Sequence, residues 1–473
     1  MVIICQAQSK LINSFFNPLR LKSKNFFCIN GLKYGKIFNM KMPIVEMLRA
    51  YSASRALRLH MPGHKGKFPN WKTDITELAF SDNLMNPSGA IARSEELFAA
   101  EWGAKRAIYL VNGSTAGIFS MLANARGSVL MQRSSHNSAY NAVRLYGKTA
   151  YVLNDYDENM LSNDISVEDI GEAVSLHPDI KTLFLTSPNY YGKVLDLNGI
   201  SRFAREKGLA LFVDSAHGAH FGLSETLPPP AHKFSDAAVV SAHKTLPALT
   251  QTAVLLTNCE NSAQKLRESV NELATTSPSY PLLASIDYAR AYADKHRGKY
   301  AGLKKDVDAF CAALPDGVVR ILSDDFTRLV LDVTGAGLTG FQAEKMLNAQ
   351  NIFPEFADKR RVVSILTLCD GAKTLKRYLS GFKTLIAGGR SVPAESHEKP
   401  HTFDKITRLC FNEKVKRMDL KQSEGMVSAA NAGIMPPCTP VIVAGEVIQK
   451  WQIDTLSEGF VFGVTDGKIL VAD

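Results

Sequence analysis

The feature that most constrains this chain is the stretch from residue 100 to about 260. There helical periods alternate with short β-rich runs, each ending in polar or glycine residues. Ala107 to Val111 runs into Asn112-Gly113-Ser114-Thr115, and Ser128 to Gln132 into Arg133-Ser134-Ser135-His136. Thr149 to Leu153, Lys181 to Thr186, Ala210 to Val213 and Ala237 to Val240 continue the series. Strands spaced by helix-length segments predict βαβ units and a mostly parallel sheet, whose ligands gather at the carboxyl ends of the strands. Polar groups stand at those ends. Ser187-Pro188-Asn189-Tyr190-Tyr191-Gly192 follows one run, Asp214-Ser215-Ala216-His217-Gly218 the next, and Ser241-Ala242-His243-Lys244 the one after. Three strand ends are expected to converge on one pocket.

Beyond about residue 290 the pattern changes. Helical stretches at Lys304 to Leu314 and Gly340 to Ala349 mix with strands around Val318 to Leu322, Arg328 to Val333 and Val362 to Leu366, which predicts a smaller α/β domain. The segment 387–400, with two Gly, two Pro and several charges, reads as a surface linker. The expected division is a segment 1–42, an N-terminal arm and large domain over 43–285, and a smaller C-terminal domain over 286–473.

Composition narrows the class. With 473 residues, 45% apolar and 21% charged, the chain is globular and long enough for a large core. Its formal charge is +9, but the first 42 residues hold seven Lys and Arg and no Asp or Glu, leaving 48 basic against 46 acidic residues, or +2, elsewhere. A nucleic-acid partner loses its main support. The basic segment reads either as a transit-type leader or as an extension upstream of a start at Met40 or Met42. No run approaches 18 apolar residues, so no membrane span is expected. Seven cysteines without a C-x-x-C pair fit a reducing compartment, and a cytoplasmic location is expected.

The chemistry starts at Lys244. It follows an apolar strand and is expected on a loop pointing into the pocket; burial there disfavours the ammonium, and a neutral amine is what attacks a carbonyl to form a Schiff base. Asp214, at the end of the preceding strand, places a carboxylate in the same crevice, where it suits the ring nitrogen of pyridoxal phosphate. Gly113-Ser114-Thr115 ahead of the apolar helix Ala116 to Leu122 offers hydroxyls and free N–H groups for a phosphate. His136 can lie flat against an aromatic ring. Each feature alone has an ordinary explanation, a solvated lysine, a helix cap or a polar loop. Their conjunction, each at a strand end and in this order, resembles the layout of the fold-type I pyridoxal phosphate enzymes.

The resemblance extends to a family. Leu59-His60-Met61-Pro62-Gly63-His64-Lys65-Gly66, Asn86-Pro87-Ser88-Gly89, Asn112-Gly113-Ser114-Thr115, Asp214-Ser215-Ala216-His217-Gly218-Ala219-His220 and Ser241-Ala242-His243-Lys244 look like the signature blocks of the Orn/Lys/Arg decarboxylases. Pro436-Pro437-Cys438-Thr439-Pro440 through Gly445-Glu446 is similar to that family's C-terminal P-P-G-x-P…P-G-E segment, so the likeness runs from about residue 43 to the end. It implies a fold-type I α/β large domain with a mostly parallel sheet, pyridoxal 5'-phosphate as cofactor, and no metal. It also implies decarboxylation of arginine, lysine or ornithine to a polyamine-type amine, with active sites at a homodimer interface.

Carried over by position, Lys244 forms the imine with the cofactor and Asp214 contacts the pyridinium. Gly113, Ser114, Thr115, Ser241 and His243 hold the phosphate; His136 stacks on one ring face and Ala216 on the other, with His217 in the same cofactor site. Gln251, Thr252 and Ala253 fit the downstream part of the lysine motif. Pro247, Met85 and Cys438 depart from the family pattern, at Cys438 where Gly is usual. Glu446 is the candidate for the distal cation of a basic substrate, with Asp82 a weaker one. Three other readings stay open: an aminotransferase holding a carboxylate with Arg360 or Arg361, a metal hydrolase using Asp214, His217 and His220 with His60 or His64, and a non-catalytic protein that keeps the fold while binding something else.

Overall fold

The computed structural model describes residues 40–473 apart from 69–70, 157–164, 388–402, 412–413 and 458–460. Most of the basic leader and nearly all of the expected linker therefore lie outside the described residues. The strands are β1 (Arg106–Leu110), β2 (Ser128–Gln132), β3 (Ala150–Leu153), β4 (Ile180–Thr186), β5 (Ala210–Asp214), β6 (Ala237–Val240) and β7 (Ala253–Thr257). There follow β8 (Val319–Ile321), β9 (Arg328–Asp332), β10 (Phe356–Ala357), β11 (Arg361–Ile365) and β12 (Ile406–Arg408).

The first seven strands and β12 form one sheet in the order β1-β7-β6-β5-β4-β2-β3-β12. Neighbours from β3 across to β6 run parallel, whereas β7, β1 and β12 join antiparallel. Every residue of β2, β3, β5, β6 and β7 is buried because helices cover both faces. Side chains alternate between two cores. Val129, Met131 and Phe212 meet the helices Gly113–Ala123, Asn137–Leu145 and Glu260–Leu273, while Leu130, Leu211 and Val213 meet Val167–Leu176 and Leu197–Glu206. This is the expected α/β class, and the observed strands match the runs read from the sequence to within a residue or so.

Close packing aims the first helix at the site. A Cβ on Gly117 would stand 2.6 Å from Val239 Cγ2, so only glycine lets Gly113–Ala123 press onto β6 with its N-terminus over the carboxyl end of the sheet.

The four antiparallel strands β10-β11-β9-β8 form a second sheet, backed by the helices Lys299–Ala312, Gly340–Asn348 and Ala372–Ala387. The boundary expected after residue 285 falls inside the helix Tyr280–Lys295, whose Leu283, Ile286 and Ala289 share one core with Ile44 and Leu48 of the arm and with Leu329, Leu331 and Val362 of the second sheet. Residues expected in a single C-terminal domain also return to the large sheet, since Ile406 to Arg408 pair with Tyr151 to Leu153. The remaining C-terminal strands form two small sheets around Ile442, Ile453, Leu456, Ile469 and Val471.

Candidate active site

The fifth strand ends at Asp214, whose side chain is 3% exposed and whose Oδ1 accepts the N–H of Ala216 at 3.0 Å. The sixth ends at Val240 and is followed by Ser241. Lys244 lies on the helical turn Ala242–Thr245, not on the expected loop, because the Leu246 N–H closes back onto the Ala242 carbonyl at 2.9 Å. Its Nζ is 3.0 Å from His217 Nε2, and Arg328 Nη2 donates to His217 Nδ1 at 2.9 Å.

These contacts assign the protons. A guanidinium only donates, so Nδ1 of His217 must accept, which places the ring proton on Nε2, facing Lys244 Nζ. Burial, aided by the charges of Lys244 and Arg328, holds His217 neutral. Burial also pushes the Lys244 amine down, against the pull of Asp214 and with the help of Arg328. Asp214 is pushed up by burial and drawn back by Lys244.

His136 stands four residues past the end of β2 and caps the helix Asn137–Leu145, its Nδ1 accepting the Ser138 N–H at 3.1 Å. Burial, reinforced by the charge of Lys244, lowers it to about 4. Lys244, Asp214, His217 and His136 therefore lie close enough together for Lys244 to act on the other three.

The same cluster fits pyridoxal phosphate. No side chain caps the helix Gly113–Ala123, and a Cβ added to Gly113 would meet nothing within 4 Å. The hydroxyls of Ser135, Thr186, Ser215 and Ser241 are buried without partners. Ser114 and Thr115 sit in the first turn of that helix, and Ala216 ties the two strand ends by accepting the Ser241 N–H at 3.2 Å. His243 donates from Nδ1 to the Thr252 carbonyl at 2.8 Å, which fixes its ring. A phosphate and a charged ring are the kinds of partner these donors and the buried carboxylate lack.

Two expectations are corrected. Glu446 is not a free anion: its Oε2 takes Arg133 Nη2 at 2.6 Å, with the N–H of Val443 at 3.1 Å, in a pair 7% and 1% exposed. Its charge is already neutralised, which removes the reason for giving it a substrate cation. Asp82 accepts the N–H groups of Asn83, Ser88, Gly89, Ile91 and Ala92, and so caps the helix Ala90–Trp102.

The arginines offered for an aminotransferase turn elsewhere: exposed Arg360 to Asp332, Arg361 to Asp358. The histidines of the hydrolase reading separate as well, His60 to Tyr51 and His64 to Asp74, while His217 meets Arg328 and His220 meets Asp325.

Arg328 and Glu355 escaped the sequence reading, and Tyr190 entered it only as part of a polar strand end. Arg328, wholly buried, keeps Nε and Nη1 without partners. The Tyr190 hydroxyl donates to Glu355 Oε1 at 2.5 Å, and its ring stands edge-on to His217 at 4.7 Å. The Glu355 charge acts on both Lys244 and Arg328. A lone arginine opening an apolar strand was the only local signal. Cys438 also reaches the site: its carbonyl accepts the Asn137 N–H at 2.9 Å, and burial raises its thiol.

A buried lysine after one strand, a buried aspartate at the end of the next and a histidine after a third define a fold-type I pyridoxal phosphate enzyme. The family description Orn/Lys/Arg decarboxylase, major domain, matches residues 42–307, and the chain belongs to that family. It is 32% identical over 463 residues to the uncharacterized protein YaaO of Bacillus subtilis, covering 88% of this chain and 94% of that one. It is 28% identical over 451 residues to an arginine decarboxylase of the same organism, covering 87% and 92%. Among solved structures, the constitutive lysine decarboxylase of E. coli superposes with a TM-score of 0.74 at 16% identity, over 92% of this chain and 82% of that one. The protein is a pyridoxal phosphate-dependent amino-acid decarboxylase.

Proposed function

We propose that the protein decarboxylates arginine, lysine or ornithine to the corresponding primary amine, as a homodimer or larger homo-oligomer in the cytoplasm. The observation that carries this reading is the buried chain Arg328–His217–Lys244, with an anion, Glu355, whose charge acts on both of its ends. A basic amino acid has a carboxylate at one end and a cation at the other. The two unpartnered guanidinium nitrogens of Arg328 suit the carboxylate by charge-assisted hydrogen bonds, and Glu355 suits the distal cation.

When bound, pyridoxal phosphate supplies a carbonyl for amine exchange and a ring that accepts the electron pair left by departing carbon dioxide. Gly113, Ser114, Thr115, Ser241 and His243 would hold its phosphate, Asp214 its ring nitrogen, and His136 and Ala216 its two faces. Lys244 enters as a neutral amine and is thus nucleophilic without further activation. Asp214, raised by burial and drawn back by Lys244, would face the ring nitrogen, where a carboxylate keeps the ring charged. On exchange Lys244 takes up the proton of the substrate ammonium and so has one to give to the substrate carbon, while His217, 3.0 Å from Nζ, keeps its side chain in place.

Exposed apolar residues on the arm support self-association: Leu57 is 84% exposed, Leu59 82% and Met61 62%. The cysteine pattern supports the cytoplasm, and among the described residues no helix is long and apolar enough to cross a membrane. The test is to record the visible spectrum of the purified protein and assay carbon dioxide release from the three amino acids beside Lys244→Ala. A coloured wild type that releases the gas from at least one of them, and a colourless inert variant, is the expected result. Equal colour and turnover in the two proteins refutes it.

A further inference from the structure

Two histidines three residues apart on the loop after β5 meet two charged residues three apart at the start of β9. His217 accepts from Arg328, and His220 Nε2 stands 3.2 Å from Asp325 Oδ1. The second pair is 1% and 0% exposed. Asp325 Oδ1 also accepts the Thr327 N–H at 2.9 Å and its hydroxyl at 2.6 Å, and the Thr327 hydroxyl lies 3.2 Å from His220 Nε2. The backbone is held too. The Asp325 N–H donates to the Gly192 carbonyl at 3.0 Å, and the Arg328 N–H donates to the Asp325 carbonyl at 3.0 Å. Gly192, at φ +86°, has no Cβ to collide with Arg328 Cβ, which would stand 2.8 Å away.

The unusual feature is an ion pair that does not form. A buried guanidinium with two unpartnered nitrogens and a buried carboxylate with an unpartnered Oδ2 lie three residues apart, yet Asp325 is bonded to His220 and Thr327 and not to Arg328. Left free, two such desolvated charges pair, because burying either one alone is costly. Burial works against the charge on Asp325, but His220, Arg328 and Thr327 hold it down to about 2, so it is an anion throughout the working range.

We propose that His220, with Thr327, is a positioning residue that holds Asp325 away from Arg328, so that the guanidinium stays open to the substrate carboxylate and stays bonded to His217. This rests on the decarboxylase reading and on Arg328 as the carboxylate holder. Without His220 the Asp325 carboxylate swings onto Arg328 and competes with the substrate for it.

The test is second-site rescue. His220→Gln raises KM for the amino acid by roughly 10–100-fold, the range of one or two charge-assisted hydrogen bonds, with kcat nearly unchanged. Asp325→Asn, added to His220→Gln, restores KM to within about threefold of wild type, because an amide does not neutralise a guanidinium. Titration of the visible absorbance with the amine product, which has no carboxylate, gives the same affinity in all variants. A purely structural role for His220 predicts a double variant no better than the single one, and that result overturns the proposal. An affinity for the amine that falls together with that for the acid also overturns it. Should His220→Gln not fold, Thr327→Val with and without Asp325→Asn carries the same expectation and the same refutation. Arg328→Ala separates the layers. If it leaves KM unchanged, the functional reading fails and the inference with it; if it raises KM while rescue is absent, only the positioning role fails.

Discussion

Glu446 distinguishes a substrate contact from a structural one. Its carboxylate and the Arg133 guanidinium form an ion pair almost closed to water, at 2.6 Å, and Arg133 Nη2 also donates to the Val441 carbonyl at 2.9 Å. Glu446 Oε2 in turn takes the Val443 N–H and Gln452 Nε2, tying the C-terminal segment to the end of β2. Glu446→Ala leaves a buried, uncompensated guanidinium, which costs about 3–5 kcal/mol. At about 2.1 cal/mol/K per residue, unfolding this chain as one unit carries an entropy of roughly 1 kcal/mol/K, so Tm falls by roughly 3–5 °C.

Glu446→Gln, which keeps the shape and part of the bonding, should lie between wild type and Glu446→Ala. The assay is thermal unfolding of the cofactor-loaded proteins, followed by steady-state kinetics 10 °C or more below the lower transition, as a rough margin. KM for arginine, lysine and ornithine should stay within about twofold of wild type, since the carboxylate is spent on Arg133. An unchanged Tm together with a KM raised roughly tenfold or more would refute the reasoning and return Glu446 to the substrate.

Other residues give independent checks. Glu355→Gln should raise KM for a basic amino acid by about tenfold or more while leaving kcat and the visible spectrum close to wild type; an unchanged KM removes Glu355 from substrate binding. Asp82→Ala should cost about 1–2 kcal/mol as a lost helix cap. Although burial works against it, five backbone N–H groups leave the Asp82 carboxyl below its ordinary value of 3.8. Its contribution is therefore complete above that value and fades as pH falls through the lower folded value, so the stabilities of wild type and variant should converge in acid denaturation. Gly117→Ala puts a methyl 2.6 Å from Val239 Cγ2 and should cost about 1–3 kcal/mol while weakening cofactor affinity, measured by fluorescence titration of the cofactor-free protein.

Much of the candidate site was legible in the sequence. Val129, Leu130 and Met131, or Leu211, Phe212 and Val213, are apolar without interruption because both sheet faces are covered, and that continuity marks the strands. The polar residue ending each run then falls at a carboxyl end by the geometry of a parallel sheet, which placed His136, Asp214 and Lys244 together. Tyr190 stands in the polar run after β4, but Arg328 and Glu355 had no such signal: they lie in and beside the second sheet, and no local period relates them to Lys244.

The sequence alone determined what local chemistry decides: which runs are buried on two faces, where helices begin, and which residue types stand at strand ends, since hydrophobic period and chain direction are properties of neighbours. Only the tertiary structure decided which charges are already matched. Glu446 and Asp82 are anions by sequence but are taken by Arg133 and a helix start, whereas Arg328 and Asp325 stay unpaired at close range. It also decided that β12 rejoins the large sheet across from β3. Pairing of charges and strands depends on which distant segments meet, and that follows from how the whole core closes.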